Sequence, residues 1–271
     1  MSRELELASP VAQALAARRP VVALESALIT HGLPRPINLE VARQLEAVVV
    51  EEGALPATVA VLDGVARVGL SSAELEHLAQ TEGAAKVSLR DLPAVVAQGR
   101  TGGTTVAATM HLAHRAGVPV FATGGIGGVH RGHTEDVSAD LTALSRIPMV
   151  VVCAGAKAIL DLRRTLETLE TLGVTVVGYG TGEFPAFTSR GSGLPVAAQV
   201  EGPEAVAALA QARDALGLQG AILVAVPIPE AAELPWSEAE AEIEAAVAEA
   251  EERGLSGKAL TPFLLARLSE R

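Results

Sequence analysis

Short apolar runs recur along the chain, and stretches with helical periodicity separate them. Pro20–Leu24, Val118–Thr123, Met149–Ala154, Val174–Gly178 and Ala221–Val226 read as strands. Ala57–Leu62 and Val65–Leu70 read as a hairpin around Asp63-Gly64, the dipeptide that a tight turn favours. Helices are expected over Asn38–Gly53 with Asn38 as N-cap, from the Ser71–Glu74 capping box onward, and over Thr104–Ala116, Pro203–Leu216 and Ser237–Gly254. The last carries a second capping box at Ser237/Glu240, and a further helix should follow Ala154 and run to Gly173. Strands that are apolar throughout, alternating with helices, bury both faces of a mostly parallel sheet. The local hairpin makes that sheet mixed. The expected architecture is one α/β domain over residues 1–271: three α/β/α layers around a mixed, largely parallel central sheet.

The 271 residues are 49% apolar but only 2% aromatic, so the core must be aliphatic and no base-stacking platform is available. A net charge of -11 disfavours nucleic acid and anionic membranes as partners. Met1–Glu4 lacks the basic-then-apolar pattern of a secretory signal, and no apolar run approaches a membrane span. A soluble cytoplasmic protein is expected, in which a small anionic ligand is compatible with the charge where local donors collect around it.

In open α/β sheets the ligand sits at the carboxyl ends of the strands, so the residues there deserve the closest reading. Glu25-Ser26 follows the first apolar strand, and burial there would raise a carboxyl's pKa enough to make it a proton donor. Thr101-Gly102-Gly103-Thr104-Thr105 precedes a helix, where freed N–H groups and the helix dipole suit a phosphate, a reading favoured over a plain Gly-rich loop with a threonine cap. Thr105 is the polar side chain of that loop nearest the helix. The segment 124–132 holds five glycines among nine residues, together with His130, the one histidine placed near a site. Asp136 and Asp140 would share a face of a helix start, with Ser138 between them; these suit either a hard cation or helix capping.

The chain has 18 Arg but only three Lys: Lys86, Lys157 and Lys258. Arginine replaces lysine on a solvated surface but cannot act as an amine nucleophile, so each retained lysine is a candidate for chemistry. Lys157 leaves an apolar strand and is expected to open a helix. Desolvation and the helix N-terminus would both favour its neutral amine, which can attack a carbonyl and form an imine. Cys153, the single cysteine, lies mid-strand and reads as a small buried hydrophobe.

Several longer motifs carry a resemblance. Ala23–Ser26, Thr30–Pro34, Pro56–Thr58, Thr101–Ala107, Phe121–Gly132, Val137–Leu141, Ala154–Lys157 and Glu183–Phe187 together resemble the pseudouridine-5′-phosphate glycosidases, the indigoidine synthase A-like family. That resemblance implies reversible cleavage of the C–C glycosidic bond of pseudouridine 5′-phosphate to uracil and ribose 5-phosphate. It implies a homotrimer and a divalent cation, usually Mn²⁺. Carried over, Glu25 matches the proton donor, Lys157 the nucleophile and Asp136 the metal ligand. Lys86, Val106 and Ser138-Ala139-Asp140 match substrate contacts. The chain departs from the pattern at Gly182, Thr188 and Val226, and it stops at Arg271, before a further helix that carries an Asn in the family. Two other readings share these residues: a different Schiff-base lyase or aldolase acting on a sugar phosphate, and a phospho-sugar binding protein without catalysis.

Overall fold

The computed structural model describes residues 5–132, 136–253, 263 and 267. Its contacts divide the chain into two compact units, Met1–Ala122 and Thr123–Arg271.

In the first unit β1 (Leu5–Leu7) and α1 (Ser9–Ala16) lead into β2 (Val21–Leu24), a short π-helical turn (Leu28–Gly32) and α2 (Ile37–Glu51). There follow β3 (Leu55–Leu62), β4 (Val65–Val68), α3 (Ser72–Gln80), β5 (Ala85–Val87), α4 (Leu92–Ala97), β6 (Gly102–Thr104), α5 (Val106–Arg115) and β7 (Val120–Ala122). The strands lie in the order β1-β4-β3-β2-β7. The β3–β4 hairpin turns at Asp63 (φ 48°) and Gly64 (φ 79°), as the Asp-Gly pair predicts. The Ser71 capping box is present at the start of α3.

β3 decides what happens where β2 ends. Its first half, Leu55–Thr58, pairs in parallel with β2, and Val59–Leu62 pairs with β4 along the opposite edge. β2 stops at Leu24, so the edge beyond it is open, and β6 fills it through Ala60–Gly103 and Val61–Gly102. The Gly102–Thr104 part of the expected phosphate loop is therefore strand, held by β3 on one side and by β5 on the other. The helix after it starts at Val106 rather than Thr104.

The second unit contains β8 (Val129–His130), α6 (Ala139–Arg146), β9 (Val150–Cys153), β10 (Leu160–Asp161), α7 (Leu162–Thr171) and β11 (Thr175–Tyr179). It continues through β12 (Ala198–Val200), α8 (Pro203–Ala215), β13 (Ile222–Ala225), a 3₁₀ turn (Glu230–Ala232) and α9 (Trp236–Glu252). Here β9-β13-β11-β12 run parallel throughout, and β8 and β10 form a separate antiparallel ribbon. The mixed, mostly parallel α/β fold with flanking helices that the sequence predicts is what forms. The Ser237 side chain and Gly254 lie outside the described residues.

The core is aliphatic, as composition requires. In the first unit Ile29, Ala60, Leu62, Leu75 and Leu78 pack together, and in the second Val177, Val200, Ile222 and Val224 do so. Asn38, expected as an N-cap, lies inside the first turn of α2. It is buried and spans two elements, its Nδ2 donating to Ile29 O (2.8 Å) and Ala79 O (3.1 Å).

Candidate active site

The first unit gathers four of the sequence-predicted residues around β6. Glu25 stands half-buried directly after β2. Lys86, also half-buried, lies in β5 opposite Gly103 in the ladder. Val106 is buried at the first position of α5. Thr105 sits at its N-cap, with its N–H donating to Val87 O at 2.9 Å. The Thr105 hydroxyl is buried, makes no capping bond and has no partner among the described residues, which leaves it available to a bound group.

Glu25 is tied to this cluster through its neighbour. The Ser26 N–H donates to Thr104 O at 3.3 Å, and the Thr104 N–H donates to Ser26 Oγ at 2.9 Å. The hydroxyls of Ser26 and Thr104 both donate to Val59 O, at 2.5 and 2.6 Å. Thr104 Oγ1 also meets Thr109 Oγ1 at 2.9 Å. All three hydroxyl residues are fully buried. They bolt the residue after Glu25 to the residue before Thr105. Gly103 permits the close approach: a Cβ there would collide with Thr30 Oγ1 and come within 2.6 Å of Ser26 O. Of these hydroxyls the sequence points only to Thr104, as part of the Thr101–Thr105 loop; Ser26 follows β2 and Thr109 lies within α5, and neither is assigned a role.

The second unit gathers the rest around the glycine-rich segment 124–132. That segment is pinned rather than flexible. Ile126 is fully buried and bridges to Ala156, and Val129–His130 pairs with Leu160–Asp161. The Lys157 N–H donates to Ile126 O at 3.1 Å, so the backbone of the lysine is fixed to this loop. Lys157 does not open a helix, contrary to expectation: α7 begins only at Leu162, capped by Asp161. What shapes the turn instead is Gly155 at φ +90°, where a Cβ would overlap Pro185 O. Cys153 is buried, and burial pushes its thiol up to about 12, which leaves it inert as expected.

His130 is buried, and its N–H donates to Asp136 O at 3.0 Å. Ser138 caps α6, its Oγ accepting the Asp140 N–H at 3.2 Å. Asp140 is buried, and its Oδ2 accepts the Gly127 N–H at 2.8 Å. Ala139 is exposed at the start of α6. Asp136 precedes that helix, so it does not share a helical face with Asp140, contrary to the expected spacing. Among the described residues no three acidic, His or Cys side chains gather into a metal cage. Asp136, half-buried, offers a single carboxylate. One carboxylate completed by water or substrate oxygens is a donor set that Mg²⁺ or Mn²⁺ accepts, and these residues fit a cation only in that form.

Comparisons with known proteins show the family. The family model described as Indigoidine synthase A like protein matches residues 10–271. The chain belongs to the indigoidine synthase A-like family. Within that family it is 58% identical over 266 residues to the pseudouridine-5′-phosphate glycosidase of Methylobacterium nodulans, covering 97% of this chain and 79% of that one. It is 56% identical over 270 residues to the protein of the same name from Paracoccus denitrificans, covering 98% and 89%. A solved structure, the prealnumycin C-glycosynthase AlnA in complex with ribulose 5-phosphate, is similar with a TM-score of 0.91 at 41% identity, covering all of this chain and 88% of that one.

Proposed function

We propose that the protein is a pseudouridine-5′-phosphate glycosidase: a lyase that reversibly converts pseudouridine 5′-phosphate and water to uracil and ribose 5-phosphate. The observation that carries this reading is the match to relatives of that name at more than half identity along nearly the whole chain.

The bond to be cleaved joins two carbons. It offers no leaving-group oxygen to protonate, so the paired-carboxylate scheme of O-glycosidases has nothing to act on. An amine solves the problem. Proton donation by Glu25 to the ring oxygen opens the ribose, and Lys157 adds to C1′. A proton delivered to uracil C5 then lets the C1′–C5 pair leave with the base, and the lone pair on the Lys157 nitrogen forms the C1′ iminium. Water hydrolyses that iminium to release ribose 5-phosphate and restore the amine. Lys86 contributes a point charge for the phosphate, and Val106 and the Thr105 hydroxyl lie at the same helix start. Ser138, Ala139 and Asp140 are substrate contacts by the same family resemblance. Asp136 would hold a divalent cation, Mn²⁺ by family resemblance, which supplies positive charge toward substrate oxygens.

A second reading has its own support. The AlnA neighbour is a prealnumycin C-glycosynthase seen with ribulose 5-phosphate, which favours as a second reading a C-glycoside enzyme of sugar phosphates with another carbon acceptor. The protein is further proposed to be cytoplasmic and homotrimeric. No described helix is long and apolar enough to cross a membrane, and α2 exposes Ile37, Leu45 and Val48 on a chain of -11 net charge.

The deciding measurement is uracil release from pseudouridine 5′-phosphate with Mn²⁺ present. The intact chain releases uracil and Lys157→Ala loses at least about a thousandfold in rate, since the covalent route is gone. Trapping of ribose 5-phosphate on Lys157 by borohydride without uracil release would move the assignment to another acceptor. Neither release nor trapping would leave a phospho-sugar binding protein.

A further inference from the structure

Phe187 is one of only three non-glycine residues with a left-handed backbone among those described, at φ 63°. Asp63 has its positive φ in a hairpin turn and Arg18 just past the end of α1, both places where the conformation is routine. A bulky aromatic has no such excuse, and its strain persists only because the surroundings hold it. Those surroundings are the two loops that flank Lys157. The Phe187 N–H donates to Ala154 O at 2.9 Å. Its ring lies over the backbone of Gly124 and Gly125, so close that a Cβ on Gly125 would come within 2.7 Å of it. The ring also packs against the cluster of Ala158 and Ile243, which Leu234, Trp236 and Val247 surround. Phe187 therefore packs against the cluster that holds the residue after Lys157, bonds three residues before it, and lies against Gly124-Gly125 of the loop whose Ile126 carbonyl accepts the Lys157 N–H.

We propose that Phe187 is a positioning residue for Lys157: its ring, held in a left-handed backbone, clamps loop 154–158 onto loop 124–126 and so presents the amine in one place. α9 takes part, because its Ile243 belongs to the cluster against which Phe187 packs, and its Val247 packs on that same cluster. The inference rests on the reading of Lys157 as the nucleophile. A misplacement of about an ångström at a reacting group costs on the order of a hundredfold in rate, so the clamp should show in the chemical step rather than in binding.

The test uses the full chain with Phe187→Ala, Phe187→Gly and Phe187→Leu. Glycine relieves the backbone but removes the ring, and leucine keeps part of the bulk. Two readouts are followed by peptide mapping. One is borohydride trapping of ribose 5-phosphate on Lys157, as rate and as half-saturating concentration. The other is reductive labelling of Lys157 by benzaldehyde, with Lys86 as internal reference, which needs no sugar-phosphate recognition. The expected result is a trapping rate at saturation about ten- to a hundredfold lower in the Ala and Gly variants. Half-saturation should move less than about threefold, the Lys157-to-Lys86 labelling ratio should shift alongside, and leucine should restore most of both. A folded Ala or Gly variant with parental trapping and labelling overturns the proposal. So does a loss that merely tracks melting temperature and is not relieved by leucine. Should the Ala variant fail to fold, the Gly and Leu variants decide alone. If the parent chain takes benzaldehyde at Lys157 but never ribose 5-phosphate, the functional reading fails, and the clamp is judged on the labelling ratio.

Discussion

Single hydroxyls and amides do much of the placing here. Ser26 carries no chemistry of its own, yet its Oγ is the acceptor for the Thr104 N–H in a fully buried setting. Ser26→Ala would strand that N–H without water, and an unsatisfied buried donor costs about 1–3 kcal/mol. The expected outcome is a lower melting temperature together with slower uracil release, because Glu25 and Thr105 lose the joint that sets them against each other. Thr109→Val removes only the hydroxyl at the outer end of the network and should cost less on both measures. Melting curves and initial rates on the pair separate the two positions. Residue identities were only partly legible in the chain. Glu25 and Lys157 stand out because charged residues rarely follow apolar strands. Asn38 does not, because a buried strut and an N-cap use the same side chain, and only the partners at Ile29 and Ala79 tell them apart.

At the scale of elements, strands and long helices followed from apolar runs and capping residues, to within a few residues. The failures have one cause: tertiary hydrogen bonds that a local reading cannot see. Gly102-Gly103 has the composition of a loop and becomes strand because β3 and β5 offer it partners on both sides. Ala156–Ile159 has the composition of a helix, yet bridging to Ile126 and the left-handed Gly155 hold it open until Asp161 caps α7. One joint between elements carries a pH signature. Thr58 Oγ1 of β3 donates to Glu46 Oε1 of α2 at 2.5 Å. Burial holds the Glu46 carboxyl above its ordinary value, against the smaller downward pull of the Thr58 hydroxyl. Ionising it costs the folded chain more than the unfolded one, so the joint is strongest below the ordinary carboxylate range and weakens as pH rises through the folded value. Glu46→Gln keeps an acceptor for Thr58 and discards the buried charge. Its melting temperature should exceed the parent's at neutral pH, and the difference should close toward about pH 4.

At the scale of the whole molecule, an acidic chain that exposes apolar side chains along one helix calls for a covering surface. Ile37, Val41, Leu45 and Val48 recur at helical spacing along α2, and Ile37, Leu45 and Val48 stand 41–54% exposed. If that stripe closes an assembly, Leu45→Glu with Val48→Glu should reduce the mass seen by light scattering from three chains to one. Unchanged mass would send the search for the contact elsewhere. The inert thiol has a practical consequence at this same scale. Cys153 is the chain's only cysteine, and it is buried and protonated. A single cysteine placed at any exposed position would be the sole fast-reacting sulfur. A fluorophore or spin label could then be attached there, on α9 for example, without first engineering the native residue away, and the label would report from an otherwise natural sequence.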